Sequence, residues 1–347
     1  MRCLLWRGKV ADKTFVGTYA GEIYYLEIDT TRGLMSEPVP AAKLDSPSYC
    51  VIADEKYLLA CSEVDTFDGK YGGGLVSYKI NNDGTLYELS RVCTGGPMPC
   101  HVAYDPASRF VAAANYDDSY FHGSFAVCGL DENGMLSEPQ IFVIHTGSGP
   151  DKARQAGTHV HQCVFHGGTL WVCDLGLDVA VEYLLDGDMA RKKRQLHTPP
   201  GSGARHMAID KTGRHAYVIC EMGSLIATYD LTRPGDLYPE NIYKLTDGSP
   251  GRTGAAAIRY RNDGMLLATN RYKDNISLYF ADGVALHLLS RTACGKTPRD
   301  GAFVPGTDLV IAGLQDDDLV ALYDISSRKL EKIGEIRLPR PTCFAFL

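Results

Sequence analysis

Apolar residues along this chain fall into short runs separated by polar turns, and no stretch sustains the 3.6-residue period of an amphipathic helix. The clearest runs, KTFVGTY, KYLLACSE, RFVAAANY, TLWVCDL, HAYVICE, MLLATNR and DLVIAGLQ, have the length and β-branched or aromatic content of buried strands. Each is followed by another strand-like segment: GEIYYLEI, GLVSYKI, GSFAVCGL, VAVEYLL, SLIATYDL, NISLYF or LVALYDI. Asp83-Gly84, Asn133-Gly134, Asp263-Gly264 and Asp282-Gly283 supply left-handed turn chemistry between strands. The pattern predicts an all-β chain without βαβ alternation.

A third strand precedes each pair. Its lead-ins read SPSYCVIAD, MPCHVAYDP, THVHQCVFH, ARHMAIDKTG, AAAIRYRNDG, PRDGAFVPG and RPTCFAFL. With Pro47, Pro99, His159, Ala204, Ala255, Pro298 and Pro341 as anchors, the mean spacing is about 49 residues, the period of a propeller of four-stranded blades. Six anchors open complete blades. The seventh, Pro341, opens one strand and the chain stops at Leu347, while the N-terminal region opens directly on a second-strand pattern. The prediction is one domain over residues 1–347, a seven-bladed β-propeller whose last blade joins N-terminal strands to the C-terminal strand. Such a joint leaves no exposed edge in the ring.

Composition narrows the function. A 45% hydrophobic and 22% charged chain is not disordered. No apolar run is long enough to span a membrane, and Cys3–Trp6 is too short for a signal-peptide core, so a cytoplasmic location is expected. A net charge of −7 argues against nucleic acid as a partner. The one basic cluster, Arg191 to Arg194, reads as a solvated loop. Eleven cysteines, odd in number and without a CxxC pair, read as reduced, buried thiols rather than a zinc site or disulfide framework.

The strand register concentrates polar residues around the central channel. After the anchors stand Ser48/Tyr49, Cys100/His101, Val160/His161, Arg205/His206, Ala256/Ala257, Arg299/Asp300 and Thr342/Cys343. The second strands end in Thr18/Tyr19, Ser62/Glu63, Asn115/Tyr116, Asp174/Leu175, Cys220/Glu221, Asn270/Arg271 and Leu314/Gln315. Ionisable groups at buried strand positions are costly unless paired or used, so these rings mark a binding site. Arginines on neighbouring blades suit a carboxylate or phosphate. Arg299 has a sequence neighbour, Asp300, available for a structural ion pair. Glu63, Asn115 and Asp174 are hard oxygen donors of the kind that bind Ca²⁺. Gly72-Gly73-Gly74 lacks the helix and Lys-Ser/Thr of a phosphate cradle and reads as a loop. The insertion Asp65–Gly74 and the loop His145–Gly157 are long enough to rim the mouth.

The segments GTY (17–19), GxPxPCHVAYDP (95–106), NY (115–116), THVHQ (158–162), DLGLD (174–178), ARHMAIDKTGRHAYVICE (204–221), TNR (269–271) and TPRDGAF (297–303) resemble the seven-bladed lactonase propellers. That family includes bacterial propeller-type 6-phosphogluconolactonases and is similar to fungal 3-carboxy-cis,cis-muconate lactonizing enzyme. The resemblance implies a catalytic set of His161, Arg205, Glu221 and Arg271. His161 moves a proton with His206 in support, or Glu221 acts as base. It implies substrate contacts from His159, His206 and Asn270, and the two rings of polar positions add Tyr19, Glu63, Tyr116, Arg299 and Gln315 to the expected substrate contacts. Two positions depart from the family pattern: Ala204 stands for a proline and Ala257 for an acidic residue. The family resembled is not calcium-dependent, so neither metal nor cofactor is expected. The implied activity is hydrolysis of an anionic sugar lactone. Cyclisation or isomerisation of a carboxylated diene or lactone, and a non-catalytic propeller binding a sugar acid or a protein, are the alternatives.

Overall fold

The computed structural model describes residues 11–117, 120, 122–246, 248 and 253–347. Seven antiparallel sheets form the blades. Their innermost strands are Tyr49–Ala53, Pro99–Asp105, Val160–His166, Ala204–Ile209, Ala255–Tyr260, Pro298–Phe303 and Pro341–Phe346, matching the seven anchors. Each innermost strand packs against those of its two neighbours, and Pro341–Phe346 packs against both Pro298–Phe303 and Tyr49–Ala53, so the ring closes. The closing blade pairs Pro341–Phe346 with Ala11–Thr18, and that strand with Glu22–Asp29. It carries two outer strands, Leu34–Met35 and Val39–Lys43, both on Glu22–Asp29, and so has five strands rather than four.

The core lies between blades. Small apolar residues of second strands, such as Ala112 and Ala114, let neighbouring sheets approach, while Trp171, Phe125, Tyr217 and Tyr229 fill the wider outer space. The insertion before Gly74 contains a hairpin, Thr66–Phe67 with Lys70–Tyr71. Arg191–Arg194 is not a loop. It lies in the outer strand Met189–His197, where Lys193 and Arg194 bond the buried Glu182 of the neighbouring strand and Arg191 pairs with Asp186. An outermost strand keeps one side in water, so a basic run fits it and also blunts pairing with another chain.

Six of the seven innermost strands slip register by at least one residue near their N-terminal end. Pro99 pairs with Asn115 but His101 with Ala114, which leaves Cys100 outside the ladder. The same slip leaves out His161, Arg205, Arg299 and Thr342. A β-bulge re-aims the extra side chain. Here the bulges sit at the channel, and they carry His161, Arg205 and Arg299 among the ionisable residues noted above.

Candidate active site

A cavity of about 250 Å³ opens at this end of the channel, lined by Tyr19, Glu63, Met98, Cys100, Tyr116, Arg154, His161, Glu221, Arg271, Tyr272 and Arg299. Two structural sources build the wall. Bulged residues of inner strands contribute Cys100, His161 and Arg299. Residues directly after second strands contribute Tyr19, Glu63, Tyr116, Glu221 and Arg271. Of each dipeptide that ends a second strand, the second residue faces the cavity on those five blades and the first stays in the sheet.

Glu221 is the hub. Its Oε2 accepts from Arg205 Nε at 3.1 Å and lies 2.7 Å from Arg271 Nη2, a close ion pair without hydrogen-bond alignment. Its Oε1 accepts from Arg154 Nη2 at 3.1 Å. Burial works against the charged carboxylate, but Arg271 and Arg205, with Arg154 adding to them, outweigh it and hold Glu221 well below the usual carboxylate range. Arg205 is only 2% exposed, and burial with repulsion from Arg271 brings it down to about 10, so it stays a cation at neutral pH. Its Nη1 donates to Ala256 O at 2.6 Å. A neutral carbonyl meets this arginine in the segment where the resembled family has an acidic residue. Ala257 itself is buried, its N–H donating to Thr269 Oγ1 at 2.9 Å.

Across the cavity, Arg299 Nη2 donates to Tyr19 Oη at 2.5 Å, and Tyr19 Oη donates to Glu63 Oε2 at 2.8 Å. Burial raises Glu63, with Arg299 pulling the other way. Arg299 does not pair with Asp300. Neighbouring side chains of a strand diverge, and Asp300 instead accepts from Arg259 Nη2 at 2.7 Å, a partner from the adjacent blade that sequence neighbourhood did not suggest.

Cys100, His161 and Arg299 form the wall between this cavity and a much smaller chamber beneath it, lined also by Ser48, Tyr49, Arg205, His206, Asp300 and Thr342; the His161 ring is the imidazole of that wall. That ring meets His206 edge-on at 5.2 Å and Tyr116 at 5.5 Å, and its Nδ1 is 3.7 Å from Cys100 Sγ. Burial first and Arg205 second push His161 well below its ordinary value, so the imidazole is neutral. His206 is lowered for the same reasons and lies in the lower chamber beside Arg205.

Three expected substrate contacts stand elsewhere. His159 lies behind Tyr116, its ring stacked at 4.4 Å and its Nδ1 3.1 Å from Tyr116 O. Asn270 is the in-sheet member of its dipeptide and accepts from Gly254 N at 3.2 Å. Gln315 donates to Asp316 and is not on the wall. Asp174 is spent on His145 Nδ1 at 2.7 Å and on the backbone N–H groups of His159, Gly176 and Leu177; Asn115 donates to Ser124. Among the described residues no group of three or more His, Cys, Asp or Glu is placed to hold a metal. Arg154, Met98 and Tyr272 were not picked out from the sequence. For Arg154 the signal was present, a single arginine in the long loop already placed at the mouth.

Residues 13–346 match the family described as Lactonase, 7-bladed beta-propeller. The chain belongs to the seven-bladed β-propeller lactonase family. Among its lactonase relatives, the 6-phosphogluconolactonase of Bacillus subtilis (strain 168) is 29% identical over 96% of this chain and 97% of its own length. That of Formosa agariphila is 27% identical over 76% and 78%. Among solved structures, the periplasmic gluconolactonase of Pseudomonas aeruginosa superposes with a TM-score of 0.89 at 25% identity, covering 97% of this lactonase-family chain and 99% of that one. No helix among the described residues is long and apolar enough to cross a membrane.

Proposed function

We propose that this protein hydrolyses an anionic sugar lactone of the 6-phosphogluconolactone type. One observation carries the reading: Arg154, Arg271 and Arg299 line the cavity, Arg205 lies behind its wall on Glu221, and only two carboxylates, Glu221 and Glu63, oppose these four guanidiniums. A buried excess of positive charge calls for an anionic ligand. The relatives named 6-phosphogluconolactonase support the same substrate class.

In this reading the arginines hold the substrate and stabilise the oxyanion formed when water adds to the lactone carbonyl. His161, neutral and on the cavity wall, takes the proton from that water. The imidazolium then gives it to the ring oxygen as the C–O bond breaks, leaving a hydroxyl and a carboxylate. Glu221 is poorly suited as the base, because its oxygens are spent on three arginines. It orients and neutralises them instead. Substrate anion entering beside His161 raises that imidazole toward the operating pH, matching base strength to the bound state. A cytoplasmic location belongs to the same proposal and is supported by ten free cysteines among the described residues.

Hydrolysis of 6-phosphogluconolactone, followed against its spontaneous rate, tests the reading. Protein that performs no better than buffer on phosphorylated and unphosphorylated lactones, but transforms muconates in an ultraviolet assay, would replace hydrolysis by the lactonizing reaction.

A further inference from the structure

Arg154 differs from the other three arginines of the site. Arg205, Arg271 and Arg299 belong to strands or strand ends, whereas Arg154 stands on the loop His145–Gly157, with 40% of its side chain open to solvent. Nη2 makes both of its contacts, donating to Tyr116 Oη at 3.0 Å and to Glu221 Oε1 at 3.1 Å. Its Nε and Nη1 hold no protein partner among the described residues.

The backbone under this side chain is fixed. Asp151 Oδ1 accepts from the N–H groups of Ala153 and Arg154 at 2.9 and 3.1 Å. Gln155 is fully buried, and its amide donates to Leu175 O at 2.9 Å and to Asp178 Oδ1 at 2.8 Å. Asp178 also accepts from Gly201 N and Gly203 N, directly ahead of the strand that carries Arg205. A fixed base with a half-open head and unspent donors is built to meet a ligand group at the mouth.

We propose that Arg154 is the specificity-determining residue that grips the substrate's distal phosphate, and that it sets the preference for phosphorylated over unphosphorylated sugar acids. This rests on the lactonase reading for the orientation of the ligand. The reacting carbonyl reaches His161 at the wall shared with the lower chamber, so a substituent remote from it points back to the mouth, where Arg154 stands. With Arg205 counted behind the wall on Glu221, guanidiniums around the cavity outnumber carboxylates by two, the charge of a phosphate dianion. Arg205 and Arg271 remain on Glu221 Oε2 while Arg154 leaves Oε1 for the ligand.

Equilibrium binding separates this proposal from the hydrolytic reading. Calorimetric titrations use 6-phosphogluconate and gluconate with wild-type protein, Arg154→Ala and Arg154→Lys, each checked for an unchanged melting temperature. Wild type is expected to prefer phosphogluconate. Arg154→Ala should lose about 10–100-fold in phosphogluconate affinity, the scale of a charge-assisted contact, with gluconate changed less than about threefold, and Arg154→Lys should fall between. Equal losses for both ligands, no loss for either, or no phosphate preference in wild type would overturn the proposal. If wild type hydrolyses no lactone while Arg154→Ala still abolishes the phosphate preference, only the hydrolytic reading falls.

Discussion

The imidazoles of His101, His161 and His206 form a connected group near the propeller axis. His206 meets His101 at 5.5 Å and His161 at 5.2 Å, both edge to face, and His101 lies 4.0 Å from the ring of Tyr49. All three are buried, and burial with nearby arginines lowers each well below its ordinary value. In the unfolded chain they titrate near 6.5. Above that pH both states leave them neutral and they contribute no pH dependence. Below it the unfolded chain takes up protons that the folded protein refuses, so stability falls as pH drops. Each histidine that stays neutral costs about 1.4 kcal/mol between pH 7.5 and 5.5, and the three together roughly 4 kcal/mol. That is a large share of a typical folding free energy of about 5–15 kcal/mol. His101→Phe keeps the ring against Tyr49 and removes a buried Nδ1 that has no hydrogen-bond partner. Urea unfolding at pH 7.5, 6.5 and 5.5, followed by circular dichroism, should show the variant losing about 1.4 kcal/mol less than wild type over that range. The comparison of slopes is independent of any fixed cost of the larger ring. Parallel pH dependences for the two proteins would refute the argument.

Three further variants probe the site and its frame. Glu221→Gln leaves three arginines facing a neutral amide, so it should cost about 3–5 kcal/mol of stability and lower kcat/KM; a thermal melt matching wild type would count against the hub role. Arg205→Ala should reduce kcat/KM for the anionic lactone by roughly 10–200-fold, chiefly through KM, and steady-state kinetics check this. Gly176→Ala would place a Cβ 2.0 Å from Gly157 O and 2.8 Å from Thr158 Cα, between the loop of Arg154 and the strand of His161. Overpacking there should cost about 1–3 kcal/mol and reduce lactone turnover, so a variant that melts and turns over like wild type would show that the seam tolerates displacement.

The blade count was legible because strand period, turn chemistry and lead-in anchors repeat in the primary structure. The innermost strands then fall at the anchors, and the closing blade forms from both ends of the chain. His161, Glu221 and Arg271 reach one cavity for the same reason, since equivalent positions on equivalent strands converge on the axis. What pattern could not supply was side-chain direction within a dipeptide. Asn270 and Arg271 are adjacent, yet one bonds the backbone of Gly254 and the other faces the cavity. Nor could it supply partners between blades: Asp300 found Arg259 rather than its neighbour Arg299, and Arg154 reached Glu221 across 67 residues.

The bulges at the axis have an evolutionary consequence. His161, Arg205 and Arg299 are the residues that the pairing ladders skip, so the hydrogen bonds on either side of each do not depend on the side chain it carries. Exchange of one for another residue type alters the chemistry of the mouth while the blade's pairing remains whole. Each bulged blade thus offers a position for change, and a lineage can pass from one substrate to another by successive single replacements without crossing an unfolded intermediate.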